Sequence, residues 1–204
     1  MHIGRDCRYI ERSIWGIQID FMLYATLAST TEELQQILQL QQENLPENID
    51  DTEMQSQGFV TLQHDLSTLQ QMHHLSPSVI IKDDKRVVAY ALTMLQECRQ
   101  LIPDLEPMFA LFDKLNWENK PLRSFHFYVM GQVCIAKRYR GQGLFEQLYE
   151  HHKKMYQSQF ELFVTEISTR NLRSLRAHRK IGFKTIHTHR DSLDEWAVVA
   201  WDWS

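Results

Sequence analysis

The sequence predicts an α/β fold, on three observations. Strand-like runs alternate with runs of helical spacing along most of the chain. The apolar run Val133-Cys134-Ile135-Ala136 breaks into a basic turn carrying two glycines, after which Leu144, Phe145, Leu148 and Tyr149 recur at helical spacing. Residues 78–95, SVIIKDDKRVVAYALTML, are two strand-like runs joined at Lys82 to Lys85, which reads as a hairpin.

Composition bounds the function. A chain of 204 residues fits one domain, since domains run to ~100–200 residues, and 43% hydrophobic with 11% aromatic residues supply a core. The balance of 22 Lys plus Arg against 26 Asp plus Glu, a formal charge of −4, argues against nucleic acid or a membrane surface as partner. Cys7, Cys98 and Cys134 are odd in number and lack metal spacing, so they read as reduced thiols of a cytoplasmic protein. No apolar run reaches the ~18 residues of a membrane span, and Arg5, Asp6, Arg8, Glu11 and Arg12 interrupt any signal-peptide pattern at the start.

Taken in order, residues 1–21 mix charges without a period. A short strand from Met22 leads to a first helix, in which Thr30 or Thr31 caps, Glu32 and Glu33 suit the positive end, and Leu34, Ile37, Leu38 and Leu45 share a face up to Pro46. The glutamines at 35, 36, 39, 41 and 42 read as its solvated side. A second helix over 61–75 follows Gly58-Phe59-Val60, with Leu62, Leu66, Leu69 and Met72 at helical spacing, and ends before Pro77. The hairpin comes next. In 96–127, Pro103, Pro107 and Pro121 forbid one continuous helix, while Leu105 to Leu115 could form a short amphipathic one. After the central turn come a strand over 161–168, a helix within 171–183, and two strands around Asp191 to Glu195.

The central turn carries the chemistry. Gly141 and Gly143 lack Cβ and admit a tight turn and close backbone approach, and the helix that follows offers unpaired N–H groups with partial positive charge, a binding site for phosphate. Lys137, Arg138 and Arg140 add cations suited to more than one phosphate. Glu146 stands where a dinucleotide fingerprint needs its third glycine, and Leu144-Phe145 where a P-loop needs Lys-Ser/Thr, so both are excluded.

What remains, Arg138-x-x-Gly141-x-Gly143, resembles the acetyl-CoA pyrophosphate loop of the GNAT N-acetyltransferases, Gln/Arg-x-x-Gly-x-Gly/Ala. Downstream, Asn171-Leu172-Arg173-Ser174, followed by a helix ending in Gly182-Phe183, resembles the family's second motif. The resemblance implies a mixed, splayed central sheet with helices on both faces, in one domain over 22–204 with 1–21 as an N-terminal extension. It implies acetyl-CoA as co-substrate and acetyl transfer to the amine of a small molecule or peptide. Residues Arg138, Arg140, Gly141, Gln142, Gly143 and Leu144 should hold the pyrophosphate, the backbone of Cys134, Ile135 and Ala136 should pair with the pantetheine arm, and Asn171 and Ser174 should meet pantetheine or phosphate. Asn171 equally suits a helix cap. The first two helices should border the acceptor pocket. The 96–127 segment then reads as a substrate lid, a homodimer surface, or plain cover for the sheet.

Acetyl transfer needs a neutral amine and a proton for the departing thiolate. An alkyl amine like lysine's has a pKa of ~10.4, so something must remove its proton. The family's usual strand glutamate is replaced by Gln132, which cannot serve as a base; Glu166 on the neighbouring strand is the substitute. The family's usual tyrosine acid is replaced by His178, which as an imidazolium could donate. Loss of both usual residues admits two alternatives, an acetyl-CoA-binding module without catalysis and a transferase of another acyl group. Among the histidines only His187-x-His189 shares a strand face, and with no acidic or cysteine partner assignable, no metal is expected.

Overall fold

The computed structural model describes residues 7–14, 17–50, 60 and 62–204, with side chains from Leu23 onward. Strands β1 (Cys7–Ile14) and β2 (Ile17–Leu27) pair antiparallel and lead to helix α1 (Thr31–Gln42). Met22, where the sequence reading begins the domain, lies within β2. Helix α2 (Leu66–Leu75) starts at its Asp65 cap, later than the expected residue 61; Gly58, Phe59 and Thr61 lie outside the described residues. The hairpin is β3 (Val79–Asp83) and β4 (Arg86–Met94), with Asp84 at φ 53° in its turn. Then follow α3 (Glu106–Phe112), the two-residue strands β5 (Asn116–Trp117) and β6 (Lys120–Pro121), and β7 (Phe127–Ile135). Helix α4 (Leu144–Tyr156), β8 (Leu162–Ser168), α5 (Leu172–Ile181), β9 (Lys184–Arg190) and β10 (Glu195–Asp202) complete the chain.

The main sheet runs β1-β2-β3-β4-β7-β8-β10-β9, and its one parallel neighbour pair among the described residues is β7 with β8. Helices cover both faces. Against one, α1, α2 and α3 bury Leu34, Ile37, Leu69, Met72 and Phe112 on Tyr90, Leu92 and Val198; against the other, α4 buries Leu144, Leu148 and Tyr149 on Ile81, Ala89 and Phe163. Phe109, Phe112, Trp117 and Leu122 of the 96–127 segment enter the first core, so this segment does cover the sheet.

Local chemistry sets the entry to α1. Glu33 N–H donates to Thr30 Oγ1 and Thr30 N–H to Glu33 Oε2, both at 3.2 Å, a reciprocal capping box, while Lys82 Nζ reaches Glu33 Oε1 at 2.6 Å. The glutamine face departs from expectation. Gln41 is 1% exposed because its amide joins a buried network: its Nε2 donates to Gln132 Oε1 at 3.0 Å, and its Oε1 accepts His64 N–H at 2.9 Å. Gln36 Oε1 accepts Val87 N–H at 2.7 Å, so these two residues tie α1 to the sheet instead of to water.

Burial also sets a pH dependence. It pushes His64 and His178 down to about 4 and His152 to about 3, so all three are neutral in the folded protein at neutral pH. The unfolded chain titrates near ~6.5, hence below that pH it binds protons the folded chain refuses, and stability falls as pH falls from there through the folded values. The melting temperature should be level between pH 7 and 8 and decline steadily from pH 6.5 to 4; a flat profile over that lower range would contradict neutral burial of these rings.

Candidate active site

The site arises where two strands part. Register between β7 and β8 holds for Phe127, Tyr128 and Val129, opposite Leu162, Phe163 and Val164. Next, Thr165 Oγ1 donates to Met130 O at 2.9 Å, putting a side chain where the following ladder bond would fall. Meanwhile β4 pairs Ala91 with Val133 and Thr93 with Met130, so three steps of β7 meet two of β4, a bulge at Gly131 and Gln132. A bulge bends its strand and increases local twist. From Met130 to Ile135 the edge of β7 facing β8 has no strand partner among the described residues, and a cleft of about 170 Å3 opens there.

At one end of the cleft β7 runs into the loop read from sequence. Tyr139, 5% exposed, anchors it by donating its O–H to Asp83 Oδ2 at 2.6 Å. Gly141 and Gly143 have φ of 75° and 78°, a region costly for residues with Cβ, and nothing lies within 4 Å of where a Cβ on Gly141 would stand. Gly143 begins α4, whose first-turn N–H groups precede the bond from Gln147 N–H to Gly143 O at 3.1 Å and have no partner within the helix. Gln142 Nε2 donates to Arg138 O at 2.8 Å, and the Arg138 guanidinium lies over the Tyr139 ring at 5.1 Å. Leu144 packs inward, 2% exposed, fixing the first turn against the core.

Arg140 turns into the cleft. Its Nε donates to Ile135 O at 3.0 Å and its Nη2 to Asn44 Oδ1 at 2.5 Å. From the opposite wall comes Arg173, whose guanidinium is held below the usual range first by burial, then by Arg140 and Arg176. Cations converging in a partly buried cleft suit an anionic ligand.

Cys134 and Ile135 lie on the parting stretch of β7. The Cys134 side chain packs toward α1, with Sγ 4.0 Å from Leu40 O, and burial pushes its thiol up to about 12. Ala136 N–H donates to Val88 O of β4 at 2.9 Å, on the side of β7 away from β8. Asn171 caps α5, its Oδ1 accepting Ser174 N–H at 3.1 Å, and both residues line the cleft.

Gln132 is held by three partners. Its Nε2 donates to Leu62 O at 2.7 Å, while its Oε1 accepts from Gln41 at 3.0 Å and from the Tyr90 O–H at 2.5 Å. An amide so fixed shapes the cleft and takes no proton. Across from it Glu166 lines the cleft, its side chain 14% exposed. Burial raises its pKa, and His189, with Nε2 at 2.6 Å from Oε1, acts in the opposite direction. A carboxylate with a raised pKa facing a ligand cleft has the character of a general base.

His178 also lines the cleft, though not in the expected form. It is fully buried; Tyr149 O–H donates to its Nε2 at 2.5 Å, and its Nδ1–H donates to Ser174 O at 2.8 Å with Ser174 Oγ at 3.2 Å. With its pKa pushed down to about 4, it is a neutral imidazole at working pH. Sequence reasoning missed Asn44, Arg173, Trp196 and His189. Only the pairing of His189 with His187 on one strand face hinted at any of them, because the others reach the cleft through tertiary packing. Among the described residues no group of three or more His, Cys, Asp or Glu could hold a metal.

A ligand with phosphates at one end and an extended amide-bearing arm fits this arrangement, with the phosphates on open backbone N–H groups at a helix start and the arm along an unpaired strand edge. The fold and cleft therefore define a CoA-dependent acyltransferase. The chain matches the Acetyltransferase (GNAT) family over residues 34–183 and belongs to it; it is an acetyltransferase of that family. Among solved structures, the ribosomal-protein-S18-alanine N-acetyltransferase of Escherichia coli has TM-score 0.61 at 12% identity, covering 90% of this chain and 95% of its own. A GNAT-family acetyltransferase of Streptococcus agalactiae has TM-score 0.60 at 15% identity, over 88% and 95%. The Salmonella typhimurium yncA protein with its cofactor acetyl-CoA has TM-score 0.58 at 12% identity, over 89% and 94%. At these identities the likeness is one of fold. No curated protein matches the sequence.

Proposed function

We propose that this chain transfers the acetyl group of acetyl-CoA to a primary amine, of a small molecule or a peptide, that enters from the α1/α2 side and loses its proton to Glu166. The observation that carries this reading is that Glu166 lines the same cleft as the phosphate-type loop, while Gln132 opposite is locked in neutral hydrogen bonds. Acetyl-CoA supplies a thioester that is directly open to attack. Residues Arg138 to Leu144 grip its phosphates; Arg140 and Arg173 contribute charge from both walls, and the backbone around Cys134 and Ile135 aligns its arm.

For the departing thiolate, His178 acts as a neutral imidazole behind Ser174, whose hydroxyl it holds at 3.2 Å, instead of as an imidazolium acid. His178→Ala should slow turnover by about a hundredfold, the low end of acid–base contributions, with acetyl-CoA affinity within about threefold of wild type. Because the Tyr149 hydroxyl loses its buried partner, the variant should also melt at lower temperature. Thiol release and calorimetry, run below that melting point, separate these effects; an unchanged turnover number would remove His178 from the reaction. The buried free thiols Cys98 and Cys134 fit work in a reducing, cytoplasmic compartment.

The test is thiol release from acetyl-CoA with a polyamine, an aminoglycoside, lysine and a short peptide with a free N-terminus. Turnover with one class identifies the acceptor, and none with any would overturn the reading.

A further inference from the structure

Glu166 and His189 meet although they stand two strands apart. In register, Glu166 faces Val198 of β10, which faces His187 of β9; His189 faces Trp196, which faces Ser168. The side chains therefore reach diagonally across β10, with Oε1 of the carboxylate and Nε2 of the ring 2.6 Å apart. The His187 and His189 rings stack, centroids 6.1 Å apart and planes at 15°, which fixes the orientation of the His189 ring. Side-chain exposure is 14% for Glu166 and 24% for His189, so water screens the contact less than it does a surface ion pair.

The contact divides the work of the carboxylate. One oxygen accepts the ring N–H, and the other, on a side chain that lines the cleft, is left for a ligand. The groups facing Glu166 are few. His189 from β9 favours the ionised form, Asp191 from the β9–β10 turn opposes it, and β7 contributes the neutral Gln132 from across the cleft.

We propose that His189 is a positioning residue for acetyl transfer: its Nε2–H fixes Oε1 of Glu166 and keeps the carboxylate ionised, so that Oε2 takes the proton of the incoming amine. This rests on the reading of Glu166 as the base. The step balances. The ammonium gives one proton to Glu166, and the freed nitrogen lone pair forms the C–N bond. The C–S bond breaks with its electron pair on sulfur, which receives the second proton lost by nitrogen. Glu166 then returns its proton to solvent.

Two variants separate positioning from packing. His189→Gln keeps an N–H donor at similar reach, and His189→Leu removes it while keeping apolar bulk. In protein carrying 13C-carboxyl glutamate, with the Glu166 signal assigned through Glu166→Gln, the titration midpoint should move to higher pH in His189→Leu and stay near wild type in His189→Gln. With the amine found by thiol release, kcat at pH 7 should fall about tenfold in His189→Leu, as for one lost charge-assisted hydrogen bond. The acidic limb of its pH profile should shift upward, KM for acetyl-CoA should stay within about twofold, and His189→Gln should recover most of the rate.

Equal midpoints in His189→Leu and wild type would overturn the proposal. So would a moved midpoint with superimposable pH–rate profiles, which leaves the transferase reading standing. If wild type turns over no amine, that reading fails, and the midpoint still decides whether His189 holds Glu166 ionised.

Discussion

Replacing Glu166 by Gln should reduce kcat by about 100- to 10,000-fold while leaving acetyl-CoA affinity unchanged, the effect expected when a general base is removed from a preserved binding cleft. The size follows from what else is available. Gln132 has both amide atoms engaged and cannot take a proton, and His178 faces Tyr149 and Ser174. The introduced amide would keep the shape of the carboxylate and could still accept the His189 N–H, so folding should be little changed. Activity should return partly at high pH, where more of the amine is already neutral. Thiol release across pH 6–10, with calorimetric acetyl-CoA affinity beside it, checks both halves; a variant within about threefold of wild type at pH 7 would remove Glu166 from the chemistry.

The second large effect is on binding. Gly141→Asp with Gly143→Asp should weaken acetyl-CoA binding by at least about a hundredfold. Each aspartate must occupy a φ of 75° or 78°, which costs ~1–2 kcal/mol per residue outside glycine. Two carboxylates would also stand where phosphates should lie, at ~1–4 kcal/mol per pair of like charges at 4 Å in partly solvated surroundings. Since a Cβ on Gly141 meets nothing within 4 Å, that side chain disturbs no packing; the strained φ at the two positions should lower the melting temperature by roughly several degrees, and the lost affinity should be read below that midpoint, where the variant is folded. Calorimetry decides it: a dissociation constant within about tenfold of wild type in a folded variant would move the phosphates elsewhere.

The loop was legible in the sequence because its requirements are local. Positive φ needs glycine, phosphates need cations and free N–H groups, and each requirement names residue types within a few positions of one another. The strand–turn–helix around Gly141, the hairpin at Asp84 and a threonine cap on α1, read as Thr30 or Thr31 and found at Thr30, were readable for the same reason. Sequence failed where a side chain's fate depends on a distant partner. Gln41 sits among glutamines that read as a wet face, and nothing near it in sequence announces Gln132 and His64, which draw it inside. His178, which the resemblance matches to the family's tyrosine, owes its neutral form to full burial against Tyr149 of another helix. Arg173 reaches the cleft, and His189 reaches Glu166, only once α5 and β9 have docked. Glu166 lay between these cases: its strand and neighbourhood were readable, its partner across β10 was not.

The measurement that bears most directly on the account is amide hydrogen exchange with and without acetyl-CoA. The cleft requires new protection along two neighbouring stretches of chain: the unpaired edge of β7 from Met130 to Ile135, and the loop with the first turn of α4, residues 141–146. Protection concentrated in both is the predicted result. Binding that protects neither, or that protects the β9–β10 end alone, would contradict a co-substrate held between the parted strands.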